Sequence, residues 1–353
     1  MSTSAFSRTL LGEELTGPLI IGEVAQTHDG SLGQAHAFVD VIADSGAHAI
    51  KFQTHIAHAE SSPQEPWRVK FSRQDQSRFE YWERMEFSSA QWAGLIEHAH
   101  ERGMYFVTSV FSVEAIELMH PLGVDMWKVA SGEVASTELL GHLASTQLPV
   151  IVSSGMSPWD ELATATKALE PCEVAVLQCT SAYPTSPSQV GLNVMEELRA
   201  EFGLPVGLSD HSGTIFASLA AASLGADVVE IHVTLHRAMF GPDVIASVTP
   251  EELETLCEGA RFIGECLANP VDKDAQANEL TPMRHLFTKS LFTRRDLAVG
   301  HIVGPDDLVE KKPGTGIPAQ QRSQVIGCTV RQPIAAHQML SFDDFEQSIG
   351  VSA

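Results

Sequence analysis

LPVGLSDHSGTIFASLAAASLGADVVEIH, running from Leu204 to His232, sets the architecture. An apolar run closes at His211, an Ala/Leu-rich helical stretch follows, and a second apolar run closes at His232. Strand, helix, strand is one βαβ unit, so its two strands are expected to be parallel neighbours. Both histidines then stand at carboxyl ends on one rim of the sheet, where α/β proteins place their chemistry. Two neutral imidazoles converging there suit a divalent metal with open coordination positions. The plainer alternative is two unrelated polar residues at loop starts.

The same alternation extends outward. Apolar runs recur as LIIGEVA from Leu19, AIKFQT from Ala49, MYFVTSV from Met104, MWKVA from Met126, PVIVSS from Pro149 and VAVLQCT from Val174, with helical stretches between them. About eight β/α repeats with non-alternating strands predict a closed (β/α)8 TIM barrel over residues 1–268. An open doubly wound sheet is the alternative, but no Gly-rich dinucleotide turn follows the first run. A long connection between Gln53 and Phe87 follows a strand and is expected to rise over the catalytic rim with partial order. Residues 269–286 read as a polar linker. Residues 287–353 read as a small β-rich domain punctuated by Gly and Pro, of roughly 60 residues and marginal for stability alone.

Composition narrows the function classes. Asp and Glu number 45 against 22 Lys and Arg, a net charge of −23. With no basic stripe, nucleic-acid binding is not expected. Five cysteines without a CxxC suit a reducing cytoplasm. Cys172 and Cys179 read as small buried hydrophobes. Neither a signal peptide nor an apolar stretch of membrane-spanning length is expected.

In a barrel, strand ends surround one pocket. Glu23 ends the first strand as a possible acid/base or hydroxyl-binding group, or simply as a salt-bridging one. His28 reads either as a pocket group or as a turn brace. Lys51 and Lys128 lie inside apolar strands, where an unpaired charge is costly, and together suggest a phosphate or carboxylate site. Ser131, Ser153, Ser154 and Ser209, also at strand ends, supply hydroxyls for such a cradle. Glu133 is placed to hold a metal-bound water. Asp243, in a Gly-Pro-Asp turn, is a second carboxylate opposite Glu23, whereas His236 and Arg237 read as surface loop residues.

In order, IGEVAQTHDG, AIKFQT, WKVASGE, SSGM, QCTSAYPT, GLSDHSGT and EIHVT–FGPD resemble the sialic acid synthase family. RRDLAVG, DDL and KKPGTGI resemble the antifreeze-like (SAF) domain that ends those synthases. The resemblance implies condensation of phosphoenolpyruvate with an N-acetylated amino sugar, such as N-acetylmannosamine, to a nine-carbon 2-keto acid and phosphate. It implies Mn²⁺ on His211 and His232. Lys51, Lys128, Ser131, Ser153 and Ser209 would contact phosphoenolpyruvate. Glu23, Tyr183 and Asp243 would surround the sugar, and Glu133 would reach the metal through water. It also implies a domain-swapped homodimer.

The chain departs from the family pattern at several positions. Thr27 and Asp29 replace the Asn residues of an NHNG turn, and Ser181 stands where some members carry Asn. Ile231 and Val233 replace Lys and Phe of EKHF, and Lys312 replaces the arginine of the tail's RPG motif. These departures bear on the sugar, which could be N-acetylmannosamine, its 6-phosphate, or a legionaminic or pseudaminic acid precursor. Rival readings are a barrel aldolase using a lysine Schiff base and a non-catalytic carbohydrate- or ice-binding protein.

Overall fold

The computed structural model describes residues 9, 10 and 13–346. Eight strands close into one parallel barrel. They are β1 (Leu19–Glu23), β2 (Ala49–Thr54), β3 (Tyr105–Val110), β4 (Met126–Val129), β5 (Val150–Ser153), β6 (Val174–Cys179), β7 (Val206–Asp210) and β8 (Val228–His232). β8 closes on β1 in register from Val228 opposite Leu19 to His232 opposite Glu23. This excludes the open sheet.

The strands are apolar on both faces because each face meets a core. Outward residues such as Ile20, Phe52, Phe106, Trp127 and Ile231 pack beneath the helices. Inward residues at the amino ends of the strands, among them Leu19, Ile21, Val107, Met126, Ile151 and Val228, plug the barrel bottom. Towards the carboxyl ends the inward positions turn polar, and the site begins there. Gly207 on β7 is required by this packing, since a Cβ would lie 1.8 Å from the Val228 carbonyl oxygen.

The surrounding helices carry their start signals in sequence. The helices α1 (Leu32–Asp44), α4 (Ser89–Glu101) and α5 (Pro250–Ala268) begin at Ser31, Ser88 and Thr249, whose hydroxyls accept main-chain N–H groups of the first turn. Gln91 and Glu252 complete capping boxes on the latter two. The long connection after β2 is ordered around two short helices, α2 (Ala57–Glu60) and α3 (Arg78–Met85), and its own cluster of Ala57, Tyr81, Trp82 and Met85.

The chain divides into two compact units at Asn269/Pro270. Within the second unit, residues read as a polar linker form two short helices, α6 (Lys273–Glu279) and α7 (Thr281–Phe287). Strands β9 (Ser290–Thr293) and β10 (Leu308–Lys311) then pair antiparallel. They cover a small core that includes Leu291, Val303, Ile317, Val330 and Leu340. The last residues of the expected C-terminal domain, 347–353, lie outside the described residues. No helix among the described residues is long and apolar enough to cross a membrane.

Candidate active site

Period-two geometry decides which strand residues meet inside the barrel. Lys51, Ser109, Lys128, Ser209 and Glu230 share one inward layer. Lys128 Nζ donates to Glu230 Oε1 and Oε2 at 2.9 and 3.0 Å, a bond between β4 and β8 across the barrel interior. Ser209 donates to Glu230 Oε1 at 2.8 Å. Lys51 Nζ pairs with Glu23 Oε2 at 2.7 Å, donates to Ser109 at 3.0 Å and lies 3.9 Å from Glu230 Oε2. All four charged side chains are at most 4% exposed.

Charges so deeply buried persist only in pairs. Burial pushes Glu230 up, but Lys128 and Lys51 outweigh it and hold the carboxyl well below the usual carboxylate range. Burial dominates at Glu23 and raises its carboxyl. Burial lowers the Lys51 ammonium, yet Glu23 and Glu230 together hold it above the ordinary lysine value.

The histidine pair lies one layer nearer the rim. The His211 and His232 rings stand 5.0 Å apart, and Tyr183 covers His211 at 4.2 Å and His232 at 5.8 Å. His211 Nδ1 donates to the Thr180 carbonyl at 2.9 Å, which leaves Nε2 with its lone pair. His232 Nδ1 is buried and has no hydrogen-bond partner among the described residues. Burial, reinforced by His211, holds His232 neutral. Burial lowers His211 too, but the Cys179 thiol and the Thr180 carbonyl draw it above its ordinary value. The thiol itself is pushed up by burial, then pulled down by His211 to about 7. Cys179 is therefore a polar partner of His211 and not the plain hydrophobe its setting in sequence suggests, while Cys172 is only half-buried.

Two imidazoles with free nitrogen lone pairs, one of them an orphaned buried atom, fit a divalent cation. Among the described residues no third His, Cys, Asp or Glu completes a cluster, so a cation held there would keep several exchangeable positions.

Above these layers opens a cavity of about 410 Å³. Its wall includes Ser131, Glu133, Ser181, Tyr183, His232 and Asp243. Burial raises the carboxyls of Asp243 and Glu133. The connection after β2 rises over the rim and supplies His55, Glu60, Glu65, Arg68 and Trp82 to the wall. The Arg68 guanidinium lies 4.5 Å above the Tyr183 ring and 3.6 Å from Asp243 Oδ1.

Several sequence expectations change. Glu23, expected opposite Asp243 in the pocket, is buried in the lysine layer beneath it. Ser153 is likewise buried, and Ser154 braces the loop by bonding Gln178 and Cys179. His28 is a turn brace, accepting from the Gly30 N–H at 3.1 Å, with its ring tilted against Phe87 at 5.0 Å. Thr27 is fully buried and donates to the Val24 and Val233 carbonyls, tying β1 to the segment after β8, and Asp29 pairs with Arg84. Ile231 and Val233 face the helix layer. Four of the six departures from the family pattern are thus structural, and Ser181 alone among them lines the cavity. Arg237 is spent on Glu252, and His236 on a local turn. Lys312 belongs to the second unit, with its ammonium 5.1 Å from the Phe287 ring. Sequence reasoning missed Glu230, Arg68, Cys179 and also Gln53, which lines the cavity and donates to Glu23 Oε1 at 2.9 Å. A Glu in the apolar run VVEIH carried the same signal as the two strand lysines.

A closed barrel with buried ion pairs and two buried imidazoles below a rim cavity defines a barrel enzyme. The chain belongs to the NeuB family, whose model matches residues 38–272, and a SAF domain model matches residues 288–346. The N,N'-diacetyllegionaminic acid synthase of Legionella pneumophila is 33% identical over 337 residues, 93% of this chain and 94% of that protein. The human N-acetylneuraminate-9-phosphate synthase is 34% identical over 257 residues, 71% of each chain. The crystal structure of the N-acetylneuraminic acid synthetase of Leptospira borgpetersenii, in complex with citrate, superposes with a TM-score of 0.68 at 27% identity, over 78% of this chain and 95% of that one. The protein is accordingly a synthase of this family.

Proposed function

We propose that the enzyme condenses phosphoenolpyruvate with an unphosphorylated N-acetylated amino sugar of the N-acetylmannosamine type, giving a nine-carbon 2-keto acid and phosphate. The observation that carries this reading is the pair of buried, ion-paired lysines inside the barrel together with the His211–His232 pair, of which His232 lines the rim cavity. Lys51 and Lys128 neutralise the phosphate and carboxylate, with hydroxyls of Ser131, Ser153 and Ser209 beside them. Tyr183, Ser181 and Asp243 hold the sugar on the wall above. His211 and His232 would hold a divalent cation, Mn²⁺ in our reading, which would supply Lewis-acid chemistry at the sugar aldehyde.

Atoms balance as follows. C3 of phosphoenolpyruvate bonds to the aldehyde carbon, whose oxygen takes a proton. Water adds at C2, and phosphate departs with the bridging oxygen, leaving the 2-keto group. Asp243, a buried wall carboxyl held above its usual range, is the group that gives the proton. Glu133 orients the water, and Glu23 keeps Lys51 charged. Holding both substrates in contact lowers the barrier by several kcal/mol, on the order of 7 for well-oriented reactants.

A Schiff-base aldolase needs a lysine with a depressed pKa. Both strand lysines are instead ion-paired, Lys51 with Glu23 and Lys128 with Glu230, which disfavours that alternative. A free sugar is preferred because the arginines of the wall already face carboxylates, Arg68 at Asp243 and Arg78 at Glu65. We further read the enzyme as cytoplasmic and as a domain-swapped homodimer in which Lys312 completes a partner's site.

The test supplies phosphoenolpyruvate, Mn²⁺ and a panel of free and 6-phosphorylated N-acetyl hexosamines, legionaminic-type diacetamido sugars included, and measures phosphate release before and after chelation. Release with one free sugar, lost on chelation and restored by Mn²⁺, is expected. Release undiminished after thorough chelation overturns the metal's role, and none with any sugar overturns the reaction.

A further inference from the structure

Among the described residues, the sole counter-charge of one strand lysine comes from a residue with no role in the reaction as proposed above. Lys128 has one ion-pair partner among the described residues, Glu230, which it meets through both carboxylate oxygens. The other lysine, Lys51, has Glu23 and Ser109 as near partners and Glu230 at 3.9 Å. Ser209 fixes Glu230 from the neighbouring strand at 2.8 Å. The carboxylate thus stands between two ammoniums that reach it from β2 and β4.

We propose that Glu230 is a positioning residue that holds the Lys128 and Lys51 side chains aimed as one preformed anion cradle. This rests on the phosphoenolpyruvate reading of the same site. Preorganisation is the physical reason. A lysine ammonium carries three donors on a flexible stem, and burying it uncompensated costs more than an incoming ligand can repay. One carboxylate shared by both ammoniums supplies the compensation in advance and fixes their separation. Lys128 spends its hydrogen bonds on a single group and keeps donor capacity for an arriving phosphate or carboxylate. Glu230 touches no substrate in this scheme and acts only through the lysines.

Its signature is selective. Phosphoenolpyruvate binding should suffer while the cation site and the sugar wall are spared. Glu230→Gln keeps the shape and the Ser209 bond but removes the charge. Isothermal titration of the full-length protein with phosphoenolpyruvate should show a Kd raised at least about tenfold, the order expected for a lost charge-assisted contact. The Mn²⁺ Kd and the sugar KM should stay within about twofold. Glu230→Asp retains the charge on a shorter stem and should recover part of the lost affinity. If the Gln variant fails to fold, the Asp variant carries the test, with the same selective weakening at smaller size. An unchanged phosphoenolpyruvate Kd in a folded variant overturns the proposal, as does equal weakening of phosphoenolpyruvate, Mn²⁺ and sugar, which marks a merely structural residue. Failure of the wild-type protein to bind phosphoenolpyruvate at all overturns the underlying reading instead, and the proposal with it.

Discussion

For single residues, strand parity separates what touches a ligand from what holds the barrel. His232 faces the site, whereas Ile231 and Val233 on either side of it face the helices. This was legible in EIHV from period two alone. Glu230 was equally legible, because a carboxylate two residues before His232 shares its face. Arg68 was not. It lies in a connection without periodic pattern, and its meeting with Tyr183 and Asp243 depends on how that segment folds back. Its guanidinium is half in solvent, so its ion pair adds little to stability, and in the proposed reading its value lies in shaping the wall of the sugar site. Arg68→Ala should raise the sugar KM about tenfold, roughly 1.4 kcal/mol, and leave the phosphoenolpyruvate KM unchanged. Steady-state kinetics with each substrate varied in turn reads this directly, and an unchanged sugar KM would remove Arg68 from the wall.

Among the secondary-structure elements, apolar runs and capping residues made the eight β/α units readable. The stretch between Gln53 and Phe87 was readable as a long loop but not as helices α2 and α3, which are short and held by Tyr81, Trp82 and Met85 against each other. The second unit shows a similar dependence on a single turn. Asp307, before β10, accepts from Arg295 at 2.7 Å, His301 at 2.7 Å and the Gly304 N–H at 2.9 Å. Burial raises its carboxyl, but His301, the Gly304 amide and Arg295 together bring it down to about 2. A carboxyl depressed in the folded state stabilises above its unfolded value of about 3.9, and that contribution fades as pH falls towards about 2. Hydrogen exchange around residues 303–308, corrected for intrinsic rates, should therefore lose protection between about pH 4 and pH 2. In Asp307→Asn protection should already be lower at neutral pH and should not change further over that interval. Wild-type protection that stays flat down to about pH 2 would contradict the assignment.

Across the molecule, the barrel is a device for bringing distant sequence positions into one polar layer. Lys128 and Glu230 are 102 residues apart and share two hydrogen bonds inside it. Spacing along the chain named the strand-end residues but could not show which charges cancel. That follows only from closure, which sets β4 opposite β8. The acidic excess of the chain as a whole makes this local cancellation matter, since an anionic substrate approaches against the overall field. In the reaction proposed for this layer, the C–O bond of phosphoenolpyruvate breaks. Phosphoenolpyruvate carrying ¹⁸O at the bridging position puts that to the test, with the released phosphate analysed by mass spectrometry. The label is expected to leave with the phosphate. Label retained in the keto-acid product would mean that the P–O bond breaks, and would contradict the proposed condensation.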